Sequence, residues 1–451
     1  MNYFNPENTI CAITTGGGMS AIAVIRISGK KAIKITNKIF NKDISEVKTH
    51  TIHMGNITNN KEIIDEVLVS VFKENKSFTG EESVEISCHG SVYIQNKIIQ
   101  LLIEKGCRIA TAGEFTMRAF KNGKIDLSQA ESVSDLIEGE TKAAHKAALH
   151  QLKGGFSNKL QSLRGKLVDF ASLIELELDF SEEDVEFADK KNFQNLLKEI
   201  RTNLKKLIES FKLGNVIKNG IPVAILGAPN VGKSTLLNCL LDEEKAIVSD
   251  ISGTTRDAIE DNLVIEGYNF RFIDTAGIRN TADTIENLGI KKSLAKAESS
   301  EIILFLIDAS TDIQNQVLEL EKLKQSHSEK IIIVLNKIDV ARKSINLENT
   351  ISISAKNKVG IDSLKQKLLD FVNITEINDN ESIVTNLRHY EELSLALHEI
   401  ETVINGINSG ISSDFLAINI RQALFHLGSI TGEVTTDDLL GNIFSKFCIG
   451  K

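Results

Sequence analysis

Residues 223–234 read Val-Ala-Ile-Leu-Gly-Ala-Pro-Asn-Val-Gly-Lys-Ser, a short apolar run opening directly into the pattern G-x-x-x-x-G-K-[ST]. Four consecutive apolar residues suit a strand buried on both faces, and the stretch that follows Ser234 suits a helix. Gly227 and Gly232 let backbone N–H groups converge on phosphate oxygens at the helix start. Lys233 then reaches the β and γ phosphates, and the Ser234 hydroxyl ligates magnesium. Asn230, Val231 and Thr235 complete this phosphate-binding set.

Four further loops follow in order. Ser249-Asp250-Ile251-Ser252-Gly253-Thr254-Thr255 lies about twenty residues on, with Thr255 placed to cover the γ-phosphate and finish the magnesium shell. Asp274-Thr275-Ala276-Gly277 ends the apolar run FRFI, where a carboxylate holds magnesium through water and a glycine lets backbone approach the γ-phosphate. Asn336-Lys337-Ile338-Asp339 ends IIIVL, and the Asp339 carboxylate can accept from N1–H and the 2-amino group of guanine. Adenine lacks that donor pair and would leave the carboxylate unsatisfied, so the base selected is guanine. Ser354-Ala355-Lys356 follows ISI and suits a backbone contact to guanine O6. Every loop falls at the carboxyl end of an expected strand, where open α/β sheets bind ligands. A GTP site is the expectation.

One position departs from the common small-GTPase pattern. Those proteins place Gln after D-T-A-G to orient water, and here the residue is Ile278. Hydrolysis therefore needs another polar group and another source of positive charge. Arg279, Asp283 and Glu286 lie just downstream, while Arg256 and Arg279 read as solvated arginines rather than arginine fingers.

Outward from this stretch the texture changes twice. Residues 1–120 mix short strands (Ala21–Ile27, Val67–Phe72, Val84–Cys88) with a helix at Val92–Glu104, a small α/β domain. From 121 the chain turns helical. Ser128-Gln-Ala-Glu131 reads as a capping box for a helix running to Gly154-Gly155. Phe193, Leu196, Leu197, Ile200, Leu204, Leu207, Ile208 and Phe211 mark a second helix stopping at Gly214. After about 375 the chain is helical again. The expected architecture is multidomain α/β plus α: an N-terminal α/β domain (1–120), a discontinuous helical domain (121–215 and 376–451), and an inserted Ras-like P-loop domain (216–375).

Composition narrows the class. Of 451 residues, 42% are hydrophobic and 25% charged, which suits a soluble globular chain. The net charge of −9 argues against gripping nucleic acid through an overall basic field. Five scattered cysteines without a C-x-x-C pair indicate a reducing compartment. No targeting segment is visible at the N-terminus and no apolar run approaches the roughly 20 residues that span a bilayer, so a cytoplasmic protein with no membrane association is expected. The acidic run Asp179–Glu186 reads as a solvated helix end.

The flanking segments carry a resemblance. The closing Cys448-Ile449-Gly450-Lys451, the preceding GEVTTDDLL (432–440), SFTGE (77–81) and GEFTMRAF (113–120) resemble the MnmE (TrmE) family of tRNA-modification GTPases over essentially the whole chain. The resemblance implies a homodimer built through an N-terminal domain similar to folate-binding one-carbon enzymes. It implies work with an FAD-bearing MnmG flavoprotein, in a heterotetramer, to place an aminomethyl-type group at C5 of the wobble uridine of certain tRNAs. The carbon would come from a 5-formyl or 5,10-methylene tetrahydrofolate. Carried over, the folate contacts are Arg26, Glu85, Lys124 and Lys451, a set whose cations suit a glutamate tail and whose carboxylate suits pterin N–H donors. The resemblance also answers Ile278: a potassium ion held by Asn230, Ser249, Ile251 and Thr254 supplies charge where an arginine finger would, and Glu286 orients the water. Catalysis would rest on Glu286, Lys233 and Thr255, promoted when two such domains meet. Ser249 stands where relatives commonly have Thr and keeps the oxygen; Gly16-Gly17 stand where many have proline. Cys448 reads as a wall or packing residue of the folate site. The competing class is a ribosome-linked regulatory GTPase with no one-carbon chemistry.

Overall fold

The computed structural model describes residues 7–60, 62–179, 190–245, 261–273, 298, 300–341, 347, 349–372 and 382–450. They form two compact units, one of Met1–Glu138, Ala148–Glu209 and Leu387–Lys451, the other of Gly139–Ala147 and Ser210–Asn386.

The first unit opens with strands β1 (Ile10–Ile13) and β2 (Ile22–Ser28), the short helix α1 (Ala32–Thr36), and β3 (Thr51–Asn59), β4 (Glu62–Phe72) and β5 (Ser83–His89). Helix α2 (Val92–Glu104), β6 (Arg108–Ile109) and α3 (Glu114–Lys121) follow. The six strands form one sheet in the order β3-β4-β5-β2-β1-β6. All neighbours are antiparallel except the parallel pair β1–β6. Alternation along β2 and β5 sends Ile25, Ile27, Val84 and Ile86 to one face, where α2 covers them with Ile98, Leu101 and Leu102. The expected helix Val92–Glu104 is found as such, and the three expected strands are each found within a residue at one end or lengthened.

Next come α4 (Leu127–Glu138), α5 (Lys142–Leu152), α6 (Gly155–Asp179) and α7 (Lys190–Asn219). Three helical expectations need correction. The capping box lies two residues earlier than Ser128–Glu131. Asp126 Oδ1 accepts from Gln129 N at 2.9 Å, and Gln129 Oε1 accepts from Asp126 N at 2.9 Å. Ser128 instead donates to Asp126, and Glu131 is buried facing other helices. The first helix also fails to reach Gly154: it breaks after Glu138, and Thr141 Oγ1 caps a new one by accepting from Ala144 N at 3.0 Å. Gly154, at φ 83, then separates α5 from α6. Lastly, α7 continues through Gly214, where a Cβ would overlap the carbonyl of Val384. The helix ends five residues later at Asn219, and Gly220, with φ 76, is the left-handed cap.

The second unit's sheet is built from β7 (Ile221–Gly227), β8 (Asp261–Ile265), β9 (Tyr268–Phe272), β10 (Ile302–Asp308), β11 (Ile331–Asn336) and β12 (Thr350–Ser352). Its helices include α8 (Lys233–Lys245), α9 (Gln314–His327) and α10 (Ile361–Val372). The order β12-β11-β10-β7-β9-β8 is parallel except for β8. β10 is buried at every residue, as a central parallel strand covered on both faces must be.

The chain returns to the first unit with α11 (Leu387–Asn408), α12 (Ser413–Thr431) and α13 (Asp437–Phe444). Buried Leu160, Leu163 and Leu167 of α6, Leu197, Ile200 and Leu204 of α7, Leu393, Ala396 and Ile400 of α11, and Ile420, Ala423 and Leu427 of α12 recur every three or four residues and form the helical core. Glu131 of α4 ties this core together. It accepts from Arg388 Nε at 2.9 Å, Arg388 Nη2 at 2.8 Å and His389 Nε2 at 2.6 Å. Burial alone would push its carboxyl up, but His389 and Arg388 outweigh burial and hold it down at about 2. The last described residues lie against the N-terminal sheet. Ile449 makes an antiparallel bridge with Ala112, and Gly450, at φ 99, lets the backbone pass the carbonyl of Ile13.

Candidate nucleotide and one-carbon sites

The register of the parallel strands brings four loops of the second unit to one edge. Asp308 at the end of β10 stands opposite Asn336 at the end of β11, and Leu306 stands opposite Gly227 at the end of β7. Within the phosphate loop Gly227 has φ 139, Asn230 φ 60 and Gly232 φ 103. A Cβ on Gly227 would meet the Leu306 carbonyl and one on Gly232 the Asn336 amide, so both glycines are required by close approach as well as by φ. Lys233 Nζ donates to the carbonyls of Gly227 at 2.8 Å and Ala228 at 2.9 Å, across the mouth of the loop. Ser234 is half-buried in the first turn of α8, beside Lys233; Thr235 is exposed.

Two side chains of the β11 end hold this loop. Asn336 Nδ2 donates to Val231 O at 2.9 Å while its Oδ1 accepts from Ala355 N at 3.1 Å. Lys337 Nζ donates to Asn230 O at 2.7 Å and to Asp308 Oδ2 at 2.6 Å. Asn336 therefore spends its amide on the frame that joins the phosphate loop to the Ser354-Ala355-Lys356 segment. Asp339 is exposed, with Oδ1 accepting from Ser354 Oγ at 2.7 Å. That bond fixes the carboxylate's rotation and presents its edge to a base. Lys356 is exposed beside it. Asp308 is the residue sequence reasoning missed; its one signal was an acid closing an otherwise apolar run.

Ser249, Asp250, Ile251, Ser252, Gly253, Thr254, Thr255, Asp274, Thr275, Ala276, Gly277 and Glu286 lie outside the described residues, as do Ile278 and most of the acidic run.

In the first unit Arg26 and Glu85 face each other across β2 and β5, with Arg26 Nε donating to Glu85 Oε1 at 2.8 Å. The guanidinium lies over Phe78 at 5.7 Å and Phe115 at 5.5 Å. The residues that follow Phe78 are tied down by a buried polar network. Arg118, fully buried, donates to both oxygens of Glu81 at 3.0 and 2.9 Å and to Glu114 at 3.0 Å. Ser28 donates to Glu81 and shares a hydrogen bond with Thr79. Burial alone would raise the Glu114 carboxyl, but hydrogen bonds from Arg108, the Thr111 N–H and Arg118 outweigh it and lower it. Lys124 Nζ donates to Asn75 O at 3.2 Å, at the base of the same loop. Neither Phe78, Phe115 nor this buried network was assigned from sequence. Lys451 lies outside the described residues, and Cys448 is an exposed thiol whose carbonyl accepts from Gly113 N at 3.4 Å.

Residues 9–124 match the model of the GTP-binding protein TrmE N-terminus, and residues 127–448 match that of the MnmE helical domain. A curated relative named tRNA modification GTPase MnmE, from Flavobacterium johnsoniae, is 55% identical over 463 residues, covering 99% of each chain. Proteins of the same name from Flavobacterium psychrophilum and Bacteroides fragilis are 56% and 51% identical over 459 and 464 residues, covering 99% of this chain and 99% and 100% of theirs.

Proposed function

The chain belongs to the MnmE family, and from that premise we propose that it is a GTPase that, with an MnmG-like flavoprotein, modifies C5 of the wobble uridine of certain tRNAs. The observation that carries the nucleotide half is the shared frame of Asn336, Lys337 and Ser354. The segment 336–339 holds the phosphate-binding loop and carries the guanine-reading carboxylate, which Ser354 orients. Magnesium would be held by Ser234 and Thr255 and would neutralise charge on the β and γ phosphates. Potassium, held by Asn230, Ser249, Ile251 and Thr254, would supply the charge an arginine finger supplies elsewhere. Lys233 and Thr255 bind the transferred group, and Glu286 orients the water in place of the glutamine that Ile278 replaces. Pairing of two such domains promotes the reaction.

The one-carbon half rests on Arg26 and Glu85 between two phenyl rings. This geometry offers a cation, a carboxylate and aromatic walls to a flat pterin with a carboxylate tail. Lys124 and Lys451 would add cations for that tail, and a 5-formyl or 5,10-methylene tetrahydrofolate is the ligand proposed. A homodimer is supported by the exposed apolar residues Ile52, Met54 and Leu68, neighbours on β3 and β4 of the same sheet. The acidic net charge supports a reading in which the partner makes most of the RNA contact and would also supply FAD. Among the described residues no helix is long and apolar enough to cross a membrane, and we place the protein in the cytoplasm. The deciding experiment is the modified-nucleoside profile of tRNA from cells lacking this chain: an unchanged wobble uridine population would refute the proposal.

A further inference from the structure

We propose that Asp308 is a positioning residue for GTP, acting through Lys337 on the phosphate loop. A trans peptide is planar, with its C=O and the following N–H pointing to opposite sides. Lys337 holds the Asn230 carbonyl and thereby turns the Val231 N–H the other way; Asn336 holds the Val231 carbonyl and does the same for the Gly232 N–H. Two successive N–H groups are aimed by two neighbouring side chains. Asn336 is short and is also fixed by Ala355 N. Lys337 carries its ammonium on a flexible stem and needs an anchor to stay on one carbonyl.

Asp308 is that anchor. Its Oδ2 accepts from Lys337 Nζ at 2.6 Å, with the carboxylate side chain 10% exposed. Its Oδ1 accepts from Ser310 N at 2.9 Å and Ser310 Oγ at 2.6 Å, and its N–H donates to the buried Gln316 side chain at 2.9 Å. Asp308 is thus fixed at the end of the central strand by two contacts on its carboxylate and one on its backbone before it meets the lysine. Burial alone would raise its pKa, but the Lys337 and Ser310 hydrogen bonds outweigh this and hold it low, so it stays charged.

The test uses the full chain and compares GDP with guanosine. Asp308→Ala raises the GDP dissociation constant about tenfold, the usual scale for loss of a charged hydrogen bond, while guanosine affinity is unchanged. Asp308→Asn, which keeps the Ser310 contacts but turns an amide N–H toward the Lys337 ammonium, loses as much. In the Lys337→Ala background Asp308→Ala adds no further loss, because the lysine is the only route by which it acts. Equal loss for GDP and guanosine, or additive effects of Asp308→Ala and Lys337→Ala, would overturn the assignment. So would an unaltered GDP constant. If Asp308→Ala does not fold, the same comparison is made with Asp308→Asn and its combination with Lys337→Ala.

Discussion

Asn336 Nδ2 donates to the Val231 carbonyl at 2.9 Å, so a residue from the base-recognition end of β11 sets a peptide plane in the phosphate loop. The two halves of the nucleotide site are thereby one mechanical piece. Asn336→Ala removes that donor and orphans the Ala355 N–H, each group nearly or fully buried. Affinity for GDP should fall by ~1–3 kcal/mol, read by fluorescence titration, with the phosphates losing more than the base.

Asp339 presents a carboxylate fixed by Ser354 at 2.7 Å. In Asp339→Asn the side chain can donate as well as accept. Preference should pass from GTP to xanthosine triphosphate, with GTP weakened by roughly 100-fold or more because buried polar groups are left unmatched. Competition between the two nucleotides measures this directly.

Hydrolysis should depend on the alkali cation. Rates in KCl are expected to exceed those in NaCl at equal ionic strength, and Glu286→Ala should lower kcat by ~10²-fold while leaving GTP affinity intact. Equal rates in the two salts would remove the potassium proposal.

Arg26 is held between Phe78, Phe115 and Glu85. Arg26→Ala should abolish measurable binding of 5-formyl-tetrahydrofolate by calorimetry and leave GTP hydrolysis by the isolated chain unchanged. Unaltered folate affinity would favour a regulatory GTPase without one-carbon chemistry.

Glu131 links α4 to the start of α11 through Arg388 and His389. Its carboxyl is depressed from 4.5 to about 2, so its stabilisation is fully present above pH 4.5 and is lost as pH falls through about 2. Glu131→Gln, which removes the carboxylate charge facing Arg388 and His389, should cost ~3 kcal/mol in urea unfolding at pH 7. The gap between variant and wild type should narrow below pH 4.5.

The P-loop strand, the apolar run IIIVL that forms β11 and the helix Val92–Glu104 were legible because periodicity and glycine spacing act over a few residues. Helix ends were less so. Gly214 looked like a stop but serves as a contact point for Val384, 170 residues further along the chain. Ser128–Glu131 matched a capping pattern, yet Glu131 was taken by Arg388 and His389, partners no local rule names.

What this chain's sequence determined by itself is the chemistry of its loops: which residues can cradle phosphate, ligate magnesium and read guanine. Those properties belong to residue type and to spacing within one turn. Only the tertiary structure decided which side chains hold the loops in place. Asp308, Lys337 and Asn336 meet because parallel strands end in register, and Arg118 reaches Glu81 from a helix outside the sheet. A buried polar group must find a partner wherever packing puts one, and packing is not written within any single stretch of chain.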